Sequence, residues 1–504
     1  MPDTDMPDTT QPLEEQNASD KKLGGAFRSA LFWNIANMAS SQLISFGLFV
    51  FLTYALDPVV FGVFALGVLI VDYFTFQAQS SGIDALIQGQ DFTKRGLSSA
   101  FWSAFIIFGL AALVIGLSGN FAALVMNEPR LAPVLPALAL TLIPLPFAMP
   151  PSALLMSRHD FRGIAMRGIL CAFLSGIAAL AVAFGPAPEW ALVVQRAVRV
   201  VTAAGFLMLR ARWIPQFVGS ISLAWSFATR MGKIFFAQAI GASYMRVLDV
   251  VVGVAFGAAT VGLMRIASRF VDVAQGAFGA PIGSLWVILL SDKENSGQTD
   301  KANLLVRLTQ MSSLICVPMF AGLMLTSNDL VDFALDKDYK AAGPLLAIMA
   351  AAGILTPVAY FRNHALTALG KLNTLMALSM IDVALIIGCA FAARNISPEA
   401  VVASLLVVNI VRVVLSAPIL VKSTSVRWRD FIAAQLPAYL ACGMMAATVI
   451  GAGQLLEGQE SYLRLAVKSV LGAITYFGYL FLFHRQWIGR AMELLINRKA
   501  AVSA

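Results

Sequence analysis

Charged side chains interrupt stretches of this sequence that are otherwise apolar and about 20 residues long, the length that spans a bilayer as a helix. Eight of them are basic and four are acidic: Arg196, Arg199, Arg246, Arg265, Arg269, Arg362, Arg412 and Lys468, with Asp72, Asp249, Asp272 and Asp382. A charge in mid-bilayer costs roughly 2.5–3.5 kcal/mol, so such a side chain normally faces a cavity or an oppositely charged partner. Guanidinium groups stay protonated and form paired hydrogen bonds with phosphate, so these arginines suit an anionic, phosphate-bearing substrate.

One apolar stretch carries three of these charges at helical spacing. Arg265, Arg269 and Asp272 are separated by four and three residues, which places them on one face of a helix. Two arginines there accompany one aspartate, and the surplus positive charge favours a cavity over a simple salt bridge. Arg246 and Asp249, three residues apart, leave both interpretations open, because they could neutralise each other locally. The candidate anion-binding residues are Arg265, Arg269, Arg246, Arg199, Arg362 and Arg412.

The acidic residues are candidates for ion coupling: Asp249, Asp272, Asp72 and Asp382. Asp72 and Asp382 each stand as single acids in the middle of an apolar stretch. A carboxyl group held in a low-dielectric environment can exchange a proton near neutral pH, which suits proton coupling. A hydrogen bond to a neighbouring helix is the alternative for each, and sodium coupling also stays open.

Two further basic residues have structural explanations. Arg196 could line a cavity, extend toward the bilayer surface or pair with Glu189. Lys468 lies near the end of its apolar stretch, so we expect its amine to extend toward the bilayer surface.

The composition excludes a soluble globular protein. Of 504 residues, 59% are hydrophobic and 13% charged, against roughly 25% charged in soluble domains. The net charge of +8 is spread without dense basic runs, so we expect no nucleic-acid binding. The four cysteines lie in apolar stretches and the three histidines are scattered. We therefore expect no metal, no cofactor and no catalytic residue, and the protein is not predicted to be an enzyme.

Apolar stretches of spanning length predict an all-α polytopic membrane protein with about fourteen transmembrane helices. If the N-terminus is cytoplasmic, 23 of the 36 lysines and arginines fall on the inner side and 5 on the outer side. Cytoplasmic loops are enriched in these residues, so both termini are predicted to be cytoplasmic. The longest outer loop is predicted at about Ser327–Gly343.

Two halves of the sequence repeat, as in transporters built from two related units. Val198–Val201 matches Val411–Val414, and the pairs Phe61-Gly62 and Val261-Gly262 open corresponding stretches. The predicted organisation comprises a disordered cytoplasmic tail (1–24), an N-terminal six-helix lobe (25–212), a cytoplasmic inter-lobe loop (213–226), a C-terminal six-helix lobe (227–423), two extra transmembrane helices (424–490) and a cytoplasmic tail (491–504).

Several segments resemble one transporter family. Residues 56–66 read LDPVVFGVFAL, residues 81–88 read SGIDALIQ, and residues 92–102 read FTKRGLSSAFW. Leu154–Arg158, Trp190–Val193 and Asp249 follow in matching order. These segments resemble the polysaccharide-transport branch of the MOP flippase superfamily, the Wzx-type flippases of exopolysaccharide and O-antigen synthesis, over about residues 25 to 425. The sequence departs from that family at Leu52-Thr53-Tyr54, where many members carry an arginine.

The resemblance implies two lobes that rock around a central cavity. It also implies a cargo, undecaprenyl diphosphate carrying a short oligosaccharide, whose diphosphate would bind the six candidate arginines. The expected location is the bacterial inner membrane, and the expected partners are membrane lipids, a polysaccharide polymerase and a chain-length regulator. The pathway could be exopolysaccharide or lipopolysaccharide synthesis.

Two other functions compete with this one. A multidrug exporter of the same superfamily that carries organic cations would need an acidic cavity, and basic residues outnumber acidic ones here. A polysaccharide polymerase or ligase would do its chemistry in large outer loops, and the longest one predicted has acids but no histidine.

Overall fold

The described part of the chain consists of helices joined by short turns. The computed structural model describes residues 45–73, 75, 78–89, 91–158, 160–276, 298–368, 371–424, 426–456 and 458–483. The helices of the first half are α1 (45–53), α2 (Pro58–Tyr73), α3 (Gln79–Gly89), α4 (Lys94–Leu117), α5 (Gly119–Val125), α6 (Leu131–Leu140), α7 (Leu145–Ser157), α8 (Phe161–Ala183), α9 (Ala191–Ala211) and α10 (Ile221–Ala274).

The second half continues with α11 (Gln298–Ala334), α12 (Ala342–Gly353), α13 (Thr356–Ala368), α14 (Leu372–Ala393), α15 (Pro398–Thr424), α16 (Trp428–Ala433), α17 (Leu436–Leu455) and α18 (Ser461–Phe483). Short 3₁₀ turns lie at Pro188–Trp190 and Lys337–Tyr339. Within the described ranges no residue is in a strand, so the predicted all-α class is confirmed.

The helices have the length and surface of a membrane protein. Ten helices among the described residues are long and apolar enough to cross a bilayer, and two shorter apolar helices, Pro58–Leu69 and Ala342–Gly353, accompany them. Large apolar side chains such as Leu124, Leu209 and Leu482 are highly exposed, which suits contact with lipid and not with water. The prediction of a polytopic membrane protein is confirmed, whereas the number fourteen stays a prediction.

Helix α10 folds back on itself at Gly257. This glycine has φ of 82° and ψ of 176°, a conformation that side-chain-bearing residues rarely adopt. Asp249 and Arg265 form an ion pair although 16 residues separate them, which would be about 24 Å along a straight helix. Residues 221–256 and 258–274 are therefore the two antiparallel arms of a hairpin.

The turn at Gly257 marks one end of the helix bundle, which we call the Gly257 end. The turn at 54–57 lies there too, because the adjacent Pro58 packs against Gly262. The turn at 335–341 joins it, because Tyr339 donates a hydrogen bond from its hydroxyl to the carbonyl of Leu56. The opposite end, called the Asp160 end, includes the connections at 158–160 and 212–220. There Asp160 accepts from the Gly163 amide at 3.0 Å and from Arg210 Nε at 2.9 Å. Burial opposes ionisation of Asp160, but these hydrogen bonds and the positive charges of Arg210 and Arg162 together hold its pKa below the ordinary value.

The two glycines of the sequence repeat pack against each other's helices. A methyl group added to Gly62 would lie 1.7 Å from the carbonyl oxygen of Ala258, and one added to Gly262 would lie 2.1 Å from that of Pro58. Helix α2 and the second arm of α10 thus touch backbone to backbone near the Gly257 end. Only glycine permits this approach.

The last two helices are fastened to α11. Helices α17 and α18 pack on each other and on α11. The buried carboxylate of Asp329 lies 2.6 Å from Lys468 Nζ and 3.0 Å from Arg464 Nε. The expectation that Lys468 extends toward the bilayer surface is therefore wrong, because its side chain is 15% exposed and its amine pairs with a carboxylate from another helix.

The predicted boundaries coincide only partly with helix ends. Helix α10 begins at Ile221, so part of the predicted inter-lobe loop 213–226 is helical. Helix α11 extends to Ala334 and leaves a shorter connection than the predicted Ser327–Gly343 loop. The predicted tails 1–24 and 491–504 lie outside the described residues.

Candidate functional site

Two charged chambers meet in the interior of the helix bundle. The first chamber, of about 380 Å³, is lined by α1, α2, α8, α9 and the second arm of α10. The second chamber, of about 450 Å³, is lined by α10, α12, α13, α14 and α15. Ser268 and Asp272 on α10 line both chambers, so this arm forms the boundary between them.

Irregular helix geometry positions Arg196 in the first chamber. Thr75 and Ala78, which follow α2, are π-helical, and α6 is separated from α7 by turn residues at 141–144. The hydroxyls of Thr75 and Thr141 accept from Arg196 at 2.7 and 3.1 Å, and Asp72 forms an ion pair with the same guanidinium. Interruptions of this kind often mark functional positions in helices.

Asp72 has charged partners, although it is the single acid of its own apolar stretch. Its second oxygen lies 3.9 Å from Arg246 Nη1, so it contacts arginines from both α9 and α10. Arg196 therefore pairs with Asp72, and the alternative partner Glu189 is wrong. Partners on separate helices cannot be read from spacing along one helix.

Asp249 pairs across the α10 hairpin. Its carboxylate is buried and forms an ion pair with Arg265 on the other arm. The pairing of Arg246 with Asp249 suggested by their spacing is not found, since Arg246 lies near Asp72 instead. Arg265 is thus paired with Asp249. On this arm, Arg269 is the arginine that could bind an anionic ligand.

Asp382 anchors a buried network in the second chamber. Its Oδ2 atom accepts from Arg362 Nη1 at 2.8 Å and from Arg412 Nε at 3.1 Å, so Asp382 is not a lone acid either. Asn409 accepts from Arg412 Nη1 at 2.9 Å and donates from its amide to the carbonyl of Ala352 at 3.2 Å. The network joins α12, α13, α14 and α15 around one carboxylate.

Arg199 and Arg269 differ from the other candidate arginines. Both line the first chamber, and Arg199 is exposed within it. Among the described residues, neither forms an ion pair with a carboxylate, although Asp272 lies one turn from Arg269 on the same arm. Among the described residues, six arginines and three aspartates line the two chambers, which gives this part of the lining a charge of +3.

A comparison with protein families identifies the chain at this point. The model of a family described as polysaccharide biosynthesis protein matches residues 51–344, more than half of the sequence. The chain belongs to this polysaccharide biosynthesis family. The match includes every charged residue of the first chamber and ends before Arg362, Asp382 and Arg412 of the second.

Relatives of this family member are transporters. It is 23% identical over 335 residues to the succinoglycan biosynthesis transport protein ExoT of Rhizobium meliloti (strain 1021), covering 65% of this chain and 67% of that protein. Among solved structures it is similar to the lipid II flippase MurJ in an inward closed conformation, with a TM-score of 0.72, 13% identity and coverage of 89% and 98%.

A second structural relative is the MATE multidrug transporter DinF-BH. The TM-score is 0.58 and the identity 14%, with coverage of 79% of this chain and 95% of the transporter. Identities this low show the fold alone. The family match and these folds together confirm the resemblance to the polysaccharide branch of the MOP superfamily.

Sequence reasoning missed the neutral polar residues of the site. Thr75 and Thr141 hold Arg196, and Asn409 holds Arg412. A signal was present for the threonines, because each is next to a helix interruption where a hydroxyl can also bond the preceding turn. Asn409 carries no such signal beyond its place three residues before Arg412.

Proposed function

We propose that this transporter flips an undecaprenyl-diphosphate-linked oligosaccharide across the bacterial inner membrane for exopolysaccharide or lipopolysaccharide synthesis. The observation that carries the proposal is the pair of cavity arginines, Arg199 and Arg269, without a carboxylate partner among the described residues. Unpaired charge is costly inside a membrane, so a site that keeps it must bind an anion during its working cycle. A diphosphate meets that need through charge-assisted hydrogen bonds.

The chamber chemistry favours this cargo over an organic cation. A lining charge of +3 repels cations, which argues against the multidrug alternative. The second chamber adds neutral polar groups, including Thr356, Asn363, Ser379 and Asn409, that can exchange hydrogen bonds with sugar hydroxyls. Each chamber volume lies within the range of about 300–1,000 Å³ typical of ligand sites.

The proposed mechanism is alternating access between two six-helix lobes. The contact of Gly62 with Ala258 and the hydrogen bond from Tyr339 to Leu56 join elements of the two predicted lobes at the Gly257 end. Opening that end requires these contacts to separate. The steps are binding and conformational change without covalent chemistry, and a polysaccharide polymerase with its chain-length regulator would receive the cargo.

Asp272 is the coupling candidate that the geometry favours. Asp72, Asp249 and Asp382 are each occupied by an arginine. Asp272 is exposed at the junction of the chambers and forms no ion pair within the described part of the chain. A carboxylate in this position can bind a proton or sodium ion and sense an anion on Arg269.

The cellular test is a clean deletion of the gene. We expect surface polysaccharide to stop and lipid-linked repeat units to accumulate on the cytoplasmic face, measured by lipid extraction and by accessibility to an added membrane-impermeant glycosidase. Restoration by the plasmid-borne gene is the control. Normal polymer with no accumulation, in a strain without another flippase gene, would contradict the proposal.

The proposed orientation places the Gly257 end outside the cell. The excess of basic residues on the opposite side motivates it, since cytoplasmic loops are enriched in lysine and arginine. Alkaline phosphatase fused after Asp338 should therefore be active, and a fusion after Asn295 should be inactive. Green fluorescent protein at the same two positions should give the reverse pattern. If both reporters give the opposite results, the orientation is inverted.

A further inference from the structure

A third cavity lies at the Gly257 end, apart from the charged chambers. It has a volume of about 480 Å³ and lies between the turn before α2, the start of α6 and the 3₁₀ turn before α9. Its polar lining consists of Asp57, Arg130 and Glu189, and its aromatic lining includes Trp190 and Phe64. Among the described residues, this cavity shares one lining residue with the first chamber, Phe64, and none with the second.

The charged groups of this cavity are available to a ligand. Asp57, Arg130 and Glu189 are exposed, and within the described residues none of the three forms an ion pair. Trp190 is half-buried and packs against the hydrophobic core, so its indole is held in place while part of it stays accessible. The cavity therefore combines a fixed aromatic surface with separated hydrogen-bonding groups.

This chemistry suits a neutral sugar. The C–H face of a pyranose ring packs on an indole, and carboxylates and guanidinium groups make charge-assisted hydrogen bonds with its hydroxyls. Two carboxylates against one guanidinium give the lining a negative charge, which disfavours a diphosphate or an acidic sugar. The described lining of the first chamber has the opposite charge, so the two cavities suit different chemical groups.

We propose that the cavity lined by Asp57, Arg130, Glu189 and Trp190 is a docking site for neutral sugar residues of the cargo, reached from the first chamber past Phe64. The inference rests on the proposed function, since it assumes that a glycan passes through the protein. Phe64 lies between the two cavities. Leu56, on the cavity wall, accepts the Tyr339 hydrogen bond, so opening at the Gly257 end changes this wall directly.

The test uses the full-length protein in lipid nanodiscs and cellotetraose as a neutral, lipid-free probe. Binding is followed by saturation-transfer NMR of the sugar protons. We expect binding by the wild type, weakening of about tenfold in Trp190→Ala, and a smaller loss in Trp190→Phe, which keeps a flat ring. Glu189→Gln should also weaken binding. Trp225→Ala is the matched control, because Trp225 is 76% exposed near the start of α10 at the Asp160 end.

Several results would overturn the docking site. These are no cellotetraose binding by the wild type, equal binding by Trp190→Ala, or equal binding of tetragalacturonate, which carries carboxylates. Thermal melting of each variant shows whether it is folded. If Trp190→Ala does not fold, cellotetraose binding by Trp190→Phe and Glu189→Gln decides whether the docking site exists. Binding of sugar-free undecaprenyl diphosphate is measured in parallel. If that lipid binds and cellotetraose does not, only the docking site fails, whereas the reverse result contradicts the proposed diphosphate site.

Discussion

Asp382→Ala will remove most of the folded protein from the membrane. The side chain is 8% exposed, and one of its oxygens holds both Arg362 and Arg412. Removing one partner of a buried ion pair costs about 3–5 kcal/mol, because the remaining charge stays buried without compensation. Here two guanidinium groups lose their shared carboxylate. A loss of this size is comparable with the whole stability of many domains, about 5–15 kcal/mol.

The measurement is the amount and the melting temperature of detergent-solubilised protein, followed by fluorescence-detected size exclusion. Asp430→Ala is the matched control, since its partner Arg427 is exposed and such surface pairs contribute about 0–1 kcal/mol. Adding Arg412→Ala to Asp382→Ala should restore part of the loss by removing one stranded charge. If Asp382→Ala melts normally but does not transport, the carboxylate serves ion coupling and not folding.

The helices and the membrane class could be predicted from the sequence because they depend on local properties. An apolar stretch of about 20 residues needs a bilayer whatever surrounds it. The repeat pairs Phe61-Gly62 and Val261-Gly262 also mark a contact between two helices. The sequence indicates only that they correspond, whereas the structure places each glycine against the backbone of the other's helix.

The partners of the charged residues could not be predicted, because helix spacing shows which residues share a face but not which helices are neighbours. Arg196 reaches an aspartate 124 residues away, and Lys468 reaches one 139 residues away. Asp249 has Arg246 one turn away and instead pairs with Arg265, because the backbone turns at Gly257. The cost of buried charge predicts that each acid finds a partner but does not identify it.

Arg269→Ala and Arg199→Ala will each abolish most transport while leaving normal amounts of folded protein. Neither guanidinium has a carboxylate partner in the described part of the chain, so its removal strands no buried charge. Hydrogen bonds to a charged group contribute about 1.5–3 kcal/mol, so each loss should weaken binding of a diphosphate by about tenfold to a hundredfold. Arg269→Lys keeps the charge but not the paired hydrogen bonds and should transport at an intermediate rate.

The assay measures flipping of a fluorescent undecaprenyl-diphosphate saccharide in proteoliposomes, with protein amount and melting temperature as the check on folding. Arg427→Ala is the neutral control, because this arginine is 83% exposed and lines neither chamber. Arg265→Ala supplies the contrast on the same helix arm. Its guanidinium pairs with the buried Asp249, so this variant should lose folded protein, and adding Asp249→Ala should restore part of it.

Alanine substitutions of Arg265 and Arg269, which are neighbours on this arm, are therefore expected to have different effects: the first on folding, the second on transport. They lie 8 and 12 residues from Gly257, about 12 and 18 Å along the arm, so both are deep in the bundle. If Arg199→Ala and Arg269→Ala both flip the lipid normally, the first chamber does not bind the diphosphate. If Arg269→Ala instead loses folded protein and Asp272→Ala restores it, the two residues form a structural pair. Only folded protein that no longer transports supports the assignment, because an arginine retained at that depth without a protein partner needs an anion from the cargo.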